Sequence, residues 1–229
     1  MIDIKIFHVN PLFERTTIVW NNGGNGFILD PGFQKDKRDK VFAFIEEKGI
    51  KPLAVLLTHA HFDHIYGVRD CVERYGIPVY MHPDEQIVID NAEPFAAGCN
   101  MPAPDTSWDT IPVKEGDRLD IGGIGLEVIE TPGHSPGSVC YYCADGKHLF
   151  SGDTLFAGSI GKTSHSFGDY DKEIVAIMEK LMLLDGDVKV HPGHGAGTTI
   201  GFERVNNPFL QPFNEIDPET GAVDGNIVQ

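Results

Sequence analysis

The sequence predicts an α/β fold in which strands dominate and helices alternate with them in both halves of the chain. Three observations carry that expectation. Apolar runs of strand length recur along the 229 residues, bounded by glycine and proline. Other stretches repeat their apolar residues at helical spacing, both early and late in the chain. Four of the strand-like runs end in turns that carry histidine or aspartate, at positions 59–64, 134, 153 and 194. Elements that alternate in this way build layered sheets covered by helices.

Residues 2–9, 16–20 and 26–30 read as strands, the last two joined by Asn21-Asn22-Gly23-Gly24-Asn25-Gly26, a run that tolerates positive φ. Asp30-Pro31-Gly32 ends the third strand sharply, and Asp30 stands there as either a metal ligand or an acid that orients one. Lys37 to Lys48 reads as a helix with Val41, Phe42 and Ile45 inward and Gly49 ending it. Leu53-Ala54-Val55-Leu56-Leu57 is a continuous apolar run, as in a strand buried on both faces. It delivers Thr58-His59-Ala60-His61-Phe62-Asp63-His64, after which Ile65, Val68, Cys71, Val72 and Tyr75 repeat at helical spacing up to Gly76. Ile77 to Met81 is a short strand, and His82 after it reads as a packing residue.

Residues 91–112 contain Pro94, Pro102, Pro104 and Pro112 and little periodicity. They read as a long loop, placed either to edge a cleft or to be anchored by Phe95, Met101 and Trp108. Asp117–Ile121 and Leu126–Ile129 form a hairpin across Gly122-Gly123-Ile124-Gly125, leading into Thr131-Pro132-Gly133-His134. Strands near 138–143 and 147–151 follow, and the second delivers Ser151-Gly152-Asp153-Thr154. Residues 171–184 read as an amphipathic helix with Ile174, Ile177, Met178, Leu181 and Met182 inward. A last strand, Asp187 to Val190, delivers His191-Pro192-Gly193-His194-Gly195.

Composition narrows the function classes. The net charge is −16, from 34 acids against 18 bases. Nucleic-acid binding needs a basic footprint that this chain lacks, and an anionic membrane surface is disfavoured for the same reason. The acidity itself reads as a solubility feature. Met1-Ile2-Asp3-Ile4-Lys5-Ile6 alternates like a strand and lacks the pattern of an export signal. No segment approaches the ~18 apolar residues of a membrane span. Cys140 and Cys143 have C-x-x-C spacing, but residues three apart on a strand face opposite ways. All four cysteines therefore read as reduced thiols, and the chain is expected in the cytoplasm.

The heptapeptide 58–64 carries the chemistry. His59 and His61 are two apart, so in extended backbone both rings point the same way, while Asp63 and His64 approach from the start of the next helix. Such a turn can offer two ligand sets to two neighbouring cations. Imidazole mixed with carboxylate suits divalent transition metals such as zinc. In a chain of ten histidines, repeated strand-end carriers favour one shared metal site.

T-H-A-H-F-D-H resembles the H-x-H-x-D-H signature of the metallo-β-lactamase superfamily. T-P-G-H-S-P-G-S, S-G-D-T-L-F and P-G-H-G resemble its later motifs, in its order, and the resemblance spans roughly residues 15–200. It implies a four-layer αβ/βα sandwich: two mixed sheets flanked by helices, with a metal site at one edge. Residues 1–207 would form the catalytic domain and 208–229 a C-terminal tail. The resemblance implies one metal on His59, His61 and His134, a second on Asp63, His64 and His194, and Asp153 bridging them. It makes Asp30 an acid behind a ligating histidine, and His191 structural. Asp63 and Asp153 would also serve the catalytic step. Two divalent ions, zinc foremost with iron or manganese as alternatives, would hold a bridging hydroxide that attacks a carbonyl.

Within the superfamily the likeness is to glyoxalase II, particularly its short single-domain relatives. Leu155-Phe156-Ala157-Gly158-Ser159-Ile160-Gly161-Lys162 resembles a segment whose basic residue contacts glutathione, which makes Lys162 the candidate substrate anchor. Gly201 to Phe209 resembles the ending of the short relatives. Two features depart from the pattern. Thr163-Ser164-His165-Ser166-Phe167 is not the usual segment, and only about 35 residues follow His194, too few for the helical domain that completes a glutathione pocket. The implied activity is hydrolysis of a small-molecule thioester, S-lactoylglutathione or a related hydroxyacyl thioester. A mononuclear iron persulfide dioxygenase, or another esterase or lactonase of the same fold, is the alternative. The resemblance leaves the oligomeric state open.

Overall fold

The computed structural model describes residues 1–211. Its first half runs Ile2–His8 (β1), Arg15–Asn21 (β2), Asn25–Leu29 (β3), Lys35–Glu47 (α1), Lys51–Leu56 (β4), Phe62–Ile65 (α2), Val68–Tyr75 (α3), Val79–Met81 (β5), Gln86–Asp90 (α4), Ala92–Gly98 (α5) and Thr110–Pro112 (β6). The second half runs Arg118–Asp120 (β7), Gly125–Glu130 (β8), Val139–Cys143 (β9), His148–Gly152 (β10), Leu155–Phe156 (β11), Ser159–Ile160 (β12), Tyr170–Glu179 (α6), Lys189–Pro192 (β13), Thr198–Thr199 (β14) and Ile200–Asn206 (α7). Strands β1 to β6 form one six-stranded sheet in sequence order, and a second six-stranded sheet has the order β14-β13-β10-β9-β8-β7. Both are mixed. β1, β2 and β3 pair antiparallel and β3 to β6 parallel, while in the second sheet the β10–β13 pair is parallel.

The period-two alternation of the strands builds the layers. Ile18, Ile28 and Val55 point outward from the first sheet, against Val41, Phe42 and Ile45 of α1 and Val68 and Cys71 of α3. Val19, Phe27, Leu29, Ala54 and Leu56 point the other way and meet Leu126, Val128, Val139, Tyr141 and Phe150 of the second sheet. On that sheet's far face, Ile129, Cys140, Leu149 and Val190 pack with Ile177, Leu181 and Ile200. The sequence of layers is helix, sheet, sheet, helix. Cys140 and Cys143 lie in different apolar layers, as their spacing requires, and all four cysteines are free. Among the described residues no helix is long and apolar enough to cross a membrane.

Several elements differ from the sequence expectation. The stretch 91–112 is not all loop: α5 covers Ala92–Gly98, with Pro94 in its first turn, where a missing N–H costs nothing, and β6 closes it. The helical pattern after the histidine cluster breaks at Gly67, where a Cβ would collide with the Phe33 ring. Met178 is 43% exposed rather than inward. The buried stripe of α6 is Glu173, Ala176 and Ile177, an i, i+3, i+4 pattern that includes an acid and so escapes a search for apolar residues. Leu210 is buried in the outer layer of the second sheet, so the folded body continues past 207. Of the tail expected over 208–229, residues 212–229 lie outside the described residues.

Candidate metal centre

The two sheets are stitched together where β4 ends. The Val139 N–H donates to the Thr58 carbonyl at 2.8 Å, and the buried Tyr141 hydroxyl donates to the Leu57 carbonyl at 3.0 Å. Asp30, at the end of β3, grips Thr58 twice, accepting from its N–H at 2.8 Å and its hydroxyl at 2.6 Å. The β10 end comes up against the same residue, since a Cβ on Gly152, whose φ is +50°, would collide with the Thr58 side chain. At Gly193 a Cβ would collide with Asp153 and stand 2.6 Å from a His64 ring carbon. Glycine is therefore required where each of these turns closes on the cluster.

Seven predicted side chains converge here. His59, His61 and His134 form one group whose donor atoms lie within 4.8 Å of one another, and Asp63, His64 and His194 form a second. Asp153 stands between them: its Oδ2 is 3.6 Å from Nε2 of His134 and 3.6 Å from Nε2 of His194, one residue from each group. Asp63 Oδ2 lies 3.2 Å from His194 Nε2. His59, Asp63, His64 and His134 are buried, and the cluster opens to solvent at His61, Asp153 and His194.

The outer nitrogens settle which inner ones carry lone pairs. Nδ1 of His134 lies 2.9 Å from the Lys162 carbonyl, and Nδ1 of His194 lies 3.0 Å from the Leu12 carbonyl. A carbonyl only accepts, so both Nδ1 atoms carry the proton and both Nε2 atoms face inward unprotonated in the neutral ring. His64 Nδ1 is held in the same way by Asp30 Oδ2 at 3.2 Å. Thr58 Oγ1 gives its proton to Asp30 and accepts from His59 Nδ1 at 3.1 Å. Asp30 also gathers with His59 and His64, with its oxygens engaged by Thr58 and by the outer edge of His64, as in an acid that orients a ring from behind.

The donor atoms fit divalent cations. Nε2 of His59 and Oδ1 of Asp153 are buried and have no hydrogen-bond partner among the described residues. Nε2 of His64 and Nε2 of His194 are 3.3 Å apart, two lone pairs facing each other in the neutral rings. Two imidazole nitrogens on one tetrahedral cation at the usual zinc distance stand about 3.4 Å apart. Nδ1 of His61 and Nε2 of His134 close to 2.8 Å in the other group.

Glu85, not singled out by its sequence surroundings, ties the first group together. Its Oε2 accepts from the Ala60 N–H at 2.7 Å, and its Oε1 accepts from the Ser135 hydroxyl at 2.6 Å and the Gly137 N–H at 2.7 Å. It is fully buried and joins the turn of His59 and His61 to the turn of His134. Two other histidines are structural. His82 bonds Glu130 at 3.0 Å, and His191 stacks on Phe150 and meets His148 at 2.9 Å. The Lys162 side chain is exposed, and it is the Lys162 carbonyl that touches the centre.

The electrostatics of the two groups run in opposite directions. Burial, and then the neighbouring imidazoles, push His59 and His134 well below the ordinary histidine range. Burial also lowers His61. In the other group burial would lower His64, but Asp153, Asp63 and Asp30 outweigh it and raise it well above that range. Burial would raise Asp63, but the charges of His64 and His194 hold it below the usual carboxylate range.

Residues 9–194 match the model of the metallo-β-lactamase superfamily. The chain belongs to that superfamily. A probable metallo-hydrolase of Bacillus subtilis, YqgX, is 42% identical over 188 residues, covering 82% of this chain and 88% of the relative. The hydroxyacylglutathione hydrolase GloC of Haemophilus influenzae is 31% identical over 214 residues, 91% of this chain and 98% of the relative. Among solved structures, the B3 metallo-β-lactamase BLEG-1 superposes with a TM-score of 0.85 at 36% identity, over 92% of this chain and all of that one. TTHA1623 in a di-iron-bound form gives 0.82 at 37% identity, over 90% of this chain and all of that one. This superfamily member is thus a metallo-hydrolase fold with a His/Asp metal-binding cluster at the edge where its two sheets meet.

Proposed function

We propose that the chain hydrolyses a small-molecule thioester of a hydroxyacyl group, using two divalent cations held by the two ligand groups. The observation that carries the binuclear reading is the place of Asp153, at 3.6 Å from a histidine of each group. Support for the thioester comes from GloC, related over nearly the whole of both chains, and from the Leu155–Lys162 segment. The mixture of imidazole and carboxylate suits zinc, and iron or manganese can take the same donors.

When bound, the cations supply an activated water and a polarised carbonyl. The protein's part is positioning and charge. The Lys162 and Leu12 carbonyls hold the His134 and His194 rings with Nε2 inward. Asp153 Oδ2, which faces both groups, and Asp63 Oδ2, beside His194, orient the attacking water and take its proton. Water adds to the thioester carbonyl, the carbon–sulfur bond breaks, and a carboxylic acid and a thiol leave. Lys162, exposed at the rim, is the candidate contact for a carboxylate on the thiol carrier. Four free cysteines support a reducing compartment, and we place the reaction in the cytoplasm.

Metal analysis of protein purified without added metal, run with a thioester panel, tests the reading. Close to two ions per chain and turnover of a hydroxyacyl thioester are expected. A single iron that admits no second ion, together with oxygen consumption on a persulfide, would replace the hydrolase by a dioxygenase. Lys162→Ala should raise KM for S-lactoylglutathione by about tenfold and spare a small neutral thioester. Equal losses on both would make Lys162 a support of the site.

A further inference from the structure

His165 stands beside the metal centre without belonging to either ligand group. Its ring lies 5.0 Å from the ring of His61 and 5.2 Å from that of His134, nearly perpendicular to both. It is carried on the turn after β12, closed by the Gly168 N–H donating to its carbonyl at 3.0 Å. Both ring nitrogens are buried, and neither has a well-aligned hydrogen-bond partner among the described residues; the Lys162 carbonyl nearby is taken by His134 Nδ1. Leaving a buried polar atom unpaired costs about 1–3 kcal/mol, so such atoms call for an explanation. Packing does not supply one, because a phenylalanine would fill the same space against the two histidines.

The surroundings are apolar on the far side. Phe167, two residues on, packs edge-on against Phe95 of α5 at 5.7 Å, and Phe95 lies 6.2 Å from His61. His61 is therefore flanked by Phe95, itself packed on Phe167, and by the His165 imidazole. A neutral imidazole offers one N–H and one lone pair. An alkyl group would leave both unpaired, and a carboxylate can only accept. A hydroxyl can pair with either nitrogen, giving to the lone pair or accepting from the N–H.

We propose that His165 is a specificity-determining residue that reads a hydroxyl on the acyl part of the substrate, while Phe95 and Phe167 take the adjoining carbon chain. This rests on the thioester reading above. A site built to bond a hydroxyl rejects the analogue lacking it, because its polar groups are then left unpaired.

The test compares lactoyl and propionyl thioesters of one thiol, with glutathione and again with a short neutral thiol. Wild-type protein should prefer the lactoyl thioester by about tenfold or more in kcat/KM. His165→Phe should collapse that ratio to near one, and His165→Asn, which keeps a donor and an acceptor, should restore part of it. Cation content is measured on every variant, so that damage to His61 or His134 is seen directly. A ratio unchanged in His165→Phe, or equal losses on both substrates, overturns the role of His165 and leaves the hydrolase reading intact. A wild type that cleaves neither thioester overturns both.

Discussion

His59, His61 and His134 face the same small space as Asp63, His64 and His194, yet the two groups manage charge in opposite ways. The first is all imidazole, and its rings are kept neutral by burial and by one another. The second mixes imidazole with carboxylate, and Asp153, Asp63 and Asp30 draw positive charge onto His64. The first is therefore neutral and ready for a cation, while the second binds either a proton or a cation. The groups also differ in what braces them. Glu85 locks the two turns of the first, and Asp30 braces the second through His64. What the contrast teaches is that a shared site need not be a symmetric one, and each half can be disturbed separately.

Asp153 is the one residue for which the contrast should vanish. It touches both groups, so Asp153→Asn should weaken both cations by more than the ten- to hundredfold typical of groups that act from behind a ligand, and abolish turnover. His191→Ala, three residues from His194 but stacked on Phe150, should keep both cations. Metal analysis and kcat/KM on the two variants decide the matter, and a mild Asp153 variant beside a severe His191 one would remove the bridge.

The two braces should separate the halves. Glu85→Gln puts an amide where three donors converge, leaving one of them without an acceptor. Affinity at the His59, His61 and His134 group should fall about ten- to hundredfold, with the other group kept. Asp30→Asn should act chiefly on the second group, through His64, and more weakly on the first, through Thr58 and His59. Cobalt titration followed by visible absorption would show which step of the binding curve moves. If both variants lost both ions together, the halves would be one cooperative unit.

The seven residues of the cluster are legible in the sequence because each lies in a turn or short helix just after a strand, where glycine and proline fix the chain direction. Asp30 is half legible: its place in a sharp turn marks it, but only the contacts show that its oxygens are spent on Thr58 and His64. Glu85 is not legible, because His82-Pro83-Asp84-Glu85 reads like any polar turn and its burial depends on two distant turns meeting over it. The carbonyls of Lys162 and Leu12 belong to the backbone, and no residue type announces them. The layered fold is legible from apolar runs of strand length, such as Leu53 to Leu57, that alternate with helical patterns in both halves. Helix α5 is not, since seven residues with a proline in the first turn show too little period.

Glu173 sharpens the contrast at the smallest expected effect. It lies on α6 behind the first group, where a Cβ on Gly161 would touch both its carboxylate and the His134 Cβ. It is fully buried, and among the described residues neither oxygen has a well-aligned hydrogen-bond partner, since the Gly161 N–H beside it donates to the Thr154 carbonyl. Burial pushes its carboxyl up to about 8, which the Gly161 N–H opposes only in part and the Asp153 charge reinforces. Asp63 of the second group is held ionised, whereas this acid holds its proton. The folded chain thus holds a proton that the unfolded chain gives up near 4.5. Stability from this group is whole below 4.5 and falls as pH rises towards 8, by something on the order of 5 kcal/mol. Glu173→Gln cannot lose that proton, so relative to the wild type it should gain stability between pH 5 and 8, whatever its offset at pH 5. Denaturant midpoints measured across that range would show the two curves converging or crossing. Parallel curves would mean that Glu173 is already ionised in the folded chain, and that the first group is not as starved of charge as its burial implies.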